Sequence, residues 1–143
     1  MKILVMEDQE EKYKQIENVI KMGNSLKWEK NCQLGLMELR QNKYELLLLD
    51  MSMPISDEEK IKDNFDSYAG MSVLREIKRR KYDLKVVVIT GFNDFEKGNE
   101  LITLSELDKK IKENYNNIYL GYVKYDSTSV EWQDKLQQML LCV

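Results

Sequence analysis

Three short apolar runs punctuate the chain, and each stops abruptly at a polar residue. Ile3-Leu4-Val5-Met6 precedes Glu7-Asp8, Leu46-Leu47-Leu48-Leu49 precedes Asp50, and Val86-Val87-Val88-Ile89 precedes Thr90. Runs of this length, without alternation of polar and apolar positions, fit strands buried on both faces. Residues 118–123, before Lys124, make a fourth such run. A weaker strand is expected near Leu26 to Lys30, where Leu26 and Trp28 alternate with polar residues.

Between these runs the apolar spacing becomes helical. Tyr13, Ile16 and Ile20 mark one face of a first helix expected to stop at Gly23. Cys32, Leu36 and Leu39 mark a second; Met71, Leu74 and Ile77 mark a third that runs out in Lys78-Arg79-Arg80-Lys81. Leu104, Leu107 and Ile111 mark a fourth, with Thr103 as its N-cap. A last helix is expected after Ser127-Thr128-Ser129, with Trp132, Leu136, Leu140 and Val143 on its inner face. Five βα units in succession imply a doubly wound α/β fold, a five-stranded parallel sheet with helices on both faces.

Two connections exceed the roughly 2–6 residues usual in such units. One runs from Pro54 to Gly70 and holds the acidic stretch Ser56 to Asp66. It reads as a solvated loop or short helix, with an interaction or gating role as the other reading. The second runs from Gly91 to about Thr103.

Composition narrows the class. The 143 residues are 43% hydrophobic and 33% charged, as a compact domain requires, and are read as one domain over 1–143. The 22 basic and 25 acidic residues leave a net charge of -3, against a general nucleic-acid binder. The apolar runs are too short to cross a membrane, and no signal-peptide core precedes Glu7. Cys32 and Cys142 form no metal-binding pair and read as reduced, buried small hydrophobes of a cytoplasmic protein. With no histidine in the chain, imidazole catalysis is excluded and a zinc site is disfavoured. Carboxylates, hydroxyls and lysines remain.

In an open α/β sheet, ligands bind beyond the carboxyl ends of the strands. The residues that terminate the strands here are Glu7 and Asp8, Asp50, Thr90 and Lys124. Three carboxylates in one cleft repel each other unless a cation compensates, and all-oxygen donors suit a hard ion such as Mg²⁺. A carboxylate beside such an ion can attack phosphorus and become an acyl phosphate. Thr90 and Lys124 then offer a hydroxyl and an ammonium to the phosphoryl oxygens.

These pieces, in order, resemble the receiver domain of bacterial two-component response regulators, whose sheet is flavodoxin-like. The matching segments are Lys2 to Asp8, Leu46 to Pro54 (LLLLDMSMP), Val87 to Gly91 and Tyr122-Val123-Lys124. The resemblance implies Asp50 as phosphoacceptor, and Mg²⁺ held by Glu7, Asp8, Asp50 and the backbone carbonyl of Ser52. Asp8 would bind the ion directly and Glu7 through water. It further implies that Thr90 bonds the phosphoryl group and shifts on activation, and that Lys124 pairs with the acyl phosphate. Met51 and Met53 are read as packing.

Two positions depart from the family. Receivers carry an aromatic residue three before the lysine, where this chain has Gly121, and a proline after it, where this chain has Tyr125. Both bear on how a signal leaves the site. The last helix ends with the chain at Val143, so no output domain is expected and the protein is expected to act by binding. The resemblance implies a histidine kinase or histidine phosphotransfer protein as phosphoryl donor, an unidentified downstream protein target, and no enzyme activity of its own. The exposed face of the fourth helix offers a surface for a homodimer. A receiver-like docking module that binds independently of phosphorylation is the main alternative. An Mg²⁺-dependent phosphohydrolase is disfavoured by Ser52, where such enzymes carry a second acid. A flavin or nucleotide binder lacks its glycine-rich loop after the first strand.

Overall fold

A computed structural model describes residues 1–56, 69–97 and 100–143, so most of the acidic stretch lies outside the described residues. The chain runs β1 (Lys2–Met6), α1 (Glu10–Ile20), β2 (Ser25–Glu29), α2 (Cys32–Gln41), β3 (Leu46–Leu49), α3 (Gly70–Arg80) and β4 (Lys85–Thr90). It continues through β5 (Asp94–Lys97), β6 (Glu100–Thr103), α4 (Leu104–Tyr115), β7 (Tyr119–Lys124) and α5 (Glu131–Leu140).

Five strands form one parallel sheet in the order β2-β1-β3-β4-β7. The order reverses direction after β1, which opens a crevice at the carboxyl ends of β1 and β3. The uninterrupted apolar runs follow from burial on both faces. Ile3, Val5, Leu46, Leu48, Val87, Ile89 and Val123 pack against Tyr13, Ile16 and Ile20 of α1 and Trp132 and Leu136 of α5. Leu4, Met6, Leu47, Leu49, Val86 and Val88 face α2, α3 and α4 through Leu39, Leu74, Leu107 and Ile111. All four leucines of β3 are fully buried, each contributing about 1.5–3 kcal/mol of transfer free energy.

The segment after β4 is more than a long connection. Asp94–Lys97 and Glu100–Thr103 pair antiparallel as a hairpin outside the main sheet, with Phe95 opposite Ile102. Phe95 is buried in the core, which fixes the hairpin to the α4 side. Thr103 then caps α4 as expected, in a capping box with Glu106.

Several boundaries differ from the sequence reading. α1 ends at Ile20, not at Gly23, because the Asn24 side-chain amide donates to the Ile20 carbonyl at 2.7 Å. α5 does follow the serine-threonine segment, starting at Glu131 with Val130 as N-cap, while Asp126 Oδ1 accepts from both the amide and the hydroxyl of Thr128. Cys142 and Val143 lie past the end of α5 and are exposed rather than inward-facing, whereas Cys32 is buried, and the two cysteines form no disulfide. Met51 and Met53 are fully buried, as packing residues should be.

Candidate functional site

Parallel pairing sets the carboxyl ends of β1, β3, β4 and β7 side by side. Met6 pairs with Leu49, and the Asp50 amide continues that ladder by donating to the Met6 carbonyl at 3.1 Å. Thr90 and Lys124 are register partners across β4 and β7. Residues separated by more than a hundred positions therefore share one edge.

Carboxylate oxygens of Glu7, Asp8 and Asp50 lie within 4.8 Å of one another. Glu7 is fully buried, Asp50 is 4% exposed and Asp8 is half-buried. Ser52 organises Asp50: its amide and its hydroxyl both donate to Asp50 Oδ1, at 3.1 and 3.0 Å. Gly70, at the start of α3, lets that helix approach the same loop. Its amide donates to the Met51 carbonyl, and a Cβ there would lie 2.8 Å from Met51 Cα.

The sequence reading missed Lys12. Its Nζ lies 2.6 Å from Glu7 Oε2 and 3.7 Å from Asp50 Oδ2, and donates to the Ile89 carbonyl at 3.0 Å. The residue is 4% exposed. Helical spacing contained the signal: Lys12, Ile16 and Ile20 share the inward face of α1, where a lysine needs an acidic partner. Opposite unit charges about 4 Å apart at an effective dielectric near 20 interact by about 4 kcal/mol, which sets the scale of that compensation.

Burial pushes the Glu7 carboxyl up to about 8, and the Asp50 charge adds to it; the Lys12 ammonium offsets only part. For Lys12 burial acts to lower the pKa, but Asp50 and Glu7 outweigh it and hold the ammonium above its ordinary value. The backbone pins Glu7 as well: its carbonyl accepts from Trp28 Nε1 at 2.6 Å, and its Oε1 accepts from the Gln9 amide at 3.1 Å.

Thr90 is fully buried; its Oγ1 accepts from the Phe92 amide at 3.0 Å, leaving the hydroxyl proton available to another acceptor. Lys124 Nζ donates to the Gly91 carbonyl at 2.7 Å rather than to Asp50. Both lysines line a cleft of about 320 Å³ with Asp50, Gly91 and Tyr125. Tyr125 uses an amide that a proline would lack, donating to the Thr90 carbonyl at 2.7 Å, and its ring stacks edge-on against Trp132. Gly121, with φ +139°, borders a bulge in β7 where Leu120 is the extra residue between the pairs Val86–Tyr119 and Val87–Gly121.

The donor set fits a hard divalent cation, since the three carboxylates supply oxygen alone and are close enough to share one ion. The Lys12 ammonium stands among two of those donors.

Comparison with known proteins agrees with this geometry. The family described as the response regulator receiver domain matches residues 3–114. The chain is 30% identical over 97 residues to the Detocs response regulatory protein DtcB of Enterobacter cloacae, covering 66% of this chain and 65% of that protein. It is 26% identical over 110 residues to the uncharacterized protein y4jR of Sinorhizobium fredii, covering 75% and 73%. Among solved structures, the signal receiver domain of a Luxo repressor protein from Vibrio parahaemolyticus shares the fold at TM-score 0.70 and 13% identity, over 99% of this chain and 87% of that one. The Thermotoga maritima response regulator TrrA, solved with Mg²⁺ and BeF, shares it at TM-score 0.61 and 18% identity, over 96% and 97%.

Proposed function

The chain belongs to the response regulator receiver family, and on that premise we propose that it is a phosphoacceptor of a two-component phosphorelay, phosphorylated on Asp50 and acting by binding a protein partner. The observation that carries the proposal is the single-edge placement of three clustered carboxylates with Thr90 and Lys124, at the carboxyl ends of adjacent parallel strands.

Each residue has a defined task. Ser52 occupies Asp50 Oδ1 with two hydrogen bonds, which orients the carboxylate and leaves Oδ2 as the attacking oxygen. An Oδ2–P bond forms as the bond from phosphorus to the donor breaks. The electron pair of that bond departs on the nitrogen of a phosphohistidine, or on the oxygen of a small acyl phosphate. Thr90 donates its hydroxyl proton to one phosphoryl oxygen, and Lys124 pairs with another through the ammonium protons not used on Gly91. Glu7, Asp8, Asp50 and the Ser52 carbonyl would hold Mg²⁺, which when bound supplies positive charge opposite the phosphoryl oxygens. A histidine kinase or histidine phosphotransfer protein fits as donor, because the imidazole nitrogen of its phosphohistidine takes up the electron pair of the breaking P–N bond while the Asp50 carboxylate forms the new P–O bond. A downstream protein completes the path, with the exposed face of α4 as the surface for self-association.

A second reading, docking without phosphorylation, is favoured by one feature. Gly121 stands where an aromatic switch residue would report on Thr90.

Intact mass after incubation with acetyl phosphate and Mg²⁺ separates the two. One phosphoryl adduct, absent in Asp50→Asn and with EDTA, supports the acceptor. No adduct on folded protein supports the docking module.

A further inference from the structure

The acid cluster holds a cation of its own. The Lys12 side chain crosses from α1 beneath the carboxyl ends of β1, β3 and β4, and its ammonium is gripped on several sides. Glu7 Oε2 lies at 2.6 Å, the Ile89 carbonyl at 3.0 Å, Asp50 Oδ2 at 3.7 Å, and the Tyr125 ring lies 5.6 Å away. Two carboxyl groups, a backbone carbonyl and an aromatic face together make a formed ammonium site, and the side chain is 5% exposed. Lysine heads on a helix normally reach for water, so an inward one is held by what it meets there.

We propose that the Lys12 ammonium is the resident counter-ion of this pocket and competes with Mg²⁺ for it. Glu7 and Asp50 are two of the three carboxylates that come within 4.8 Å of one another, and Lys12 already contacts both. A divalent ion shared by those oxygens would lie within a few ångströms of the ammonium, where like charges repel. Ion entry therefore requires the ammonium to withdraw towards the cleft that Lys12 lines with Asp50, Lys124 and Tyr125. Two consequences follow. The pocket is assembled without metal, and its Mg²⁺ affinity is weakened by the work of moving Lys12. Lys12 is thus a positioning residue that sets metal demand, not a group that touches phosphorus.

The inference rests on the reading of this cluster as the receiver's acceptor site, which the Asp50 adduct tests separately. The direct experiment titrates the full chain and its Lys12→Met variant with MgCl₂. Tryptophan fluorescence is the readout, since Trp28 bonds the Glu7 carbonyl and Trp132 packs on Tyr125. Lys12→Met should bind Mg²⁺ about tenfold more tightly or better, the effect of removing one nearby like charge. Its thermal midpoint should fall in EDTA and recover with Mg²⁺, while the wild type changes little. A measurement on unmodified protein guards against a variant that fails to fold: the Lys12 amine should resist reductive methylation in EDTA and become reactive when Mg²⁺ is added. Equal affinities in the two proteins, or a Lys12 reactivity that ignores Mg²⁺, would overturn the inference. An Asp50 adduct alongside either result would leave the acceptor reading standing.

Discussion

Thr90 and Lys124 face each other across β4 and β7, and both side chains hold the same two-residue segment. The Phe92 amide donates to Thr90 Oγ1 at 3.0 Å, and Lys124 Nζ donates to the Gly91 carbonyl at 2.7 Å. That segment leads directly into the β5–β6 hairpin, where Asn93 accepts from the Leu104 amide at 2.7 Å. The two groups proposed to meet a phosphoryl group are thus the two that fasten the hairpin's entry.

Removing the Thr90 hydroxyl should loosen that entry without a phosphoryl group. Thr90→Val keeps the shape but leaves the Phe92 amide without its acceptor, at a net cost of about 1 kcal/mol. Hydrogen exchange at Phe92 should accelerate roughly fivefold, as it should in the wild type with beryllofluoride and Mg²⁺. Unchanged exchange in both cases would separate the hairpin from the site.

Gly121 should resist replacement for a backbone reason. Its φ of +139° lies where side chains are strained, and a Cβ there would sit 2.9 Å from the Met139 methyl. Because that methyl ends a flexible chain, the backbone strain dominates. Gly121→Ala should lose about 1–3 kcal/mol in urea unfolding, and adding Met139→Ala should not restore it. Full rescue by the second substitution would point to crowding instead.

The hairpin is anchored by Phe95, which is 1% exposed and lies edge-on to Phe92 at 6.3 Å between ring centres. Phe95→Ala should destabilise the fold by about 3–5 kcal/mol, as a core phenylalanine does. A loss below 1 kcal/mol in urea unfolding would mean that the hairpin contributes nothing to the core.

Glu7 predicts an unusual pH dependence for the metal-free protein. Its folded pKa is raised to about 8 from 4.5, so the folded state carries the extra proton between those values. Stability from this group is full below about pH 4.5 and is lost as pH rises towards 8. The chain has no histidine to titrate in that window. Glu76, held low by hydrogen bonds from Arg79 and Arg80, and Asp126, held low by the Thr128 amide, act only below it. Urea midpoints in EDTA should therefore fall from pH 5.5 to pH 8, and Glu7→Gln should flatten the slope. An identical slope in the variant would assign the effect elsewhere.

The sheet was legible because Leu46 to Leu49 and Val86 to Ile89 carry no alternation, which only burial on both faces permits. Glu7, Asp8 and Asp50 were legible because strand ends in a parallel sheet converge, whatever the chain between them does. Lys12 was not, since a lysine beside two glutamates on α1 reads as solvated until the register places its head beneath β3. The hairpin was missed for a different reason: Phe95 and Ile102 alternate over only four residues per strand, too few to stand out from a loop. Gly98-Asn99 between those strands was the available hint, a dipeptide common in hairpin connections. Val143 was misread because its distance from Trp132 fits a helical face, but α5 ends three residues before it.

The central claim is that Asp50 carries the phosphoryl group. Borohydride reduction after treatment with acetyl phosphate and Mg²⁺ converts a phosphorylated aspartate to homoserine, which peptide mass spectrometry locates. Homoserine is expected at position 50 alone, dependent on Mg²⁺. Homoserine at another aspartate, or an undiminished adduct in Asp50→Asn, would contradict it.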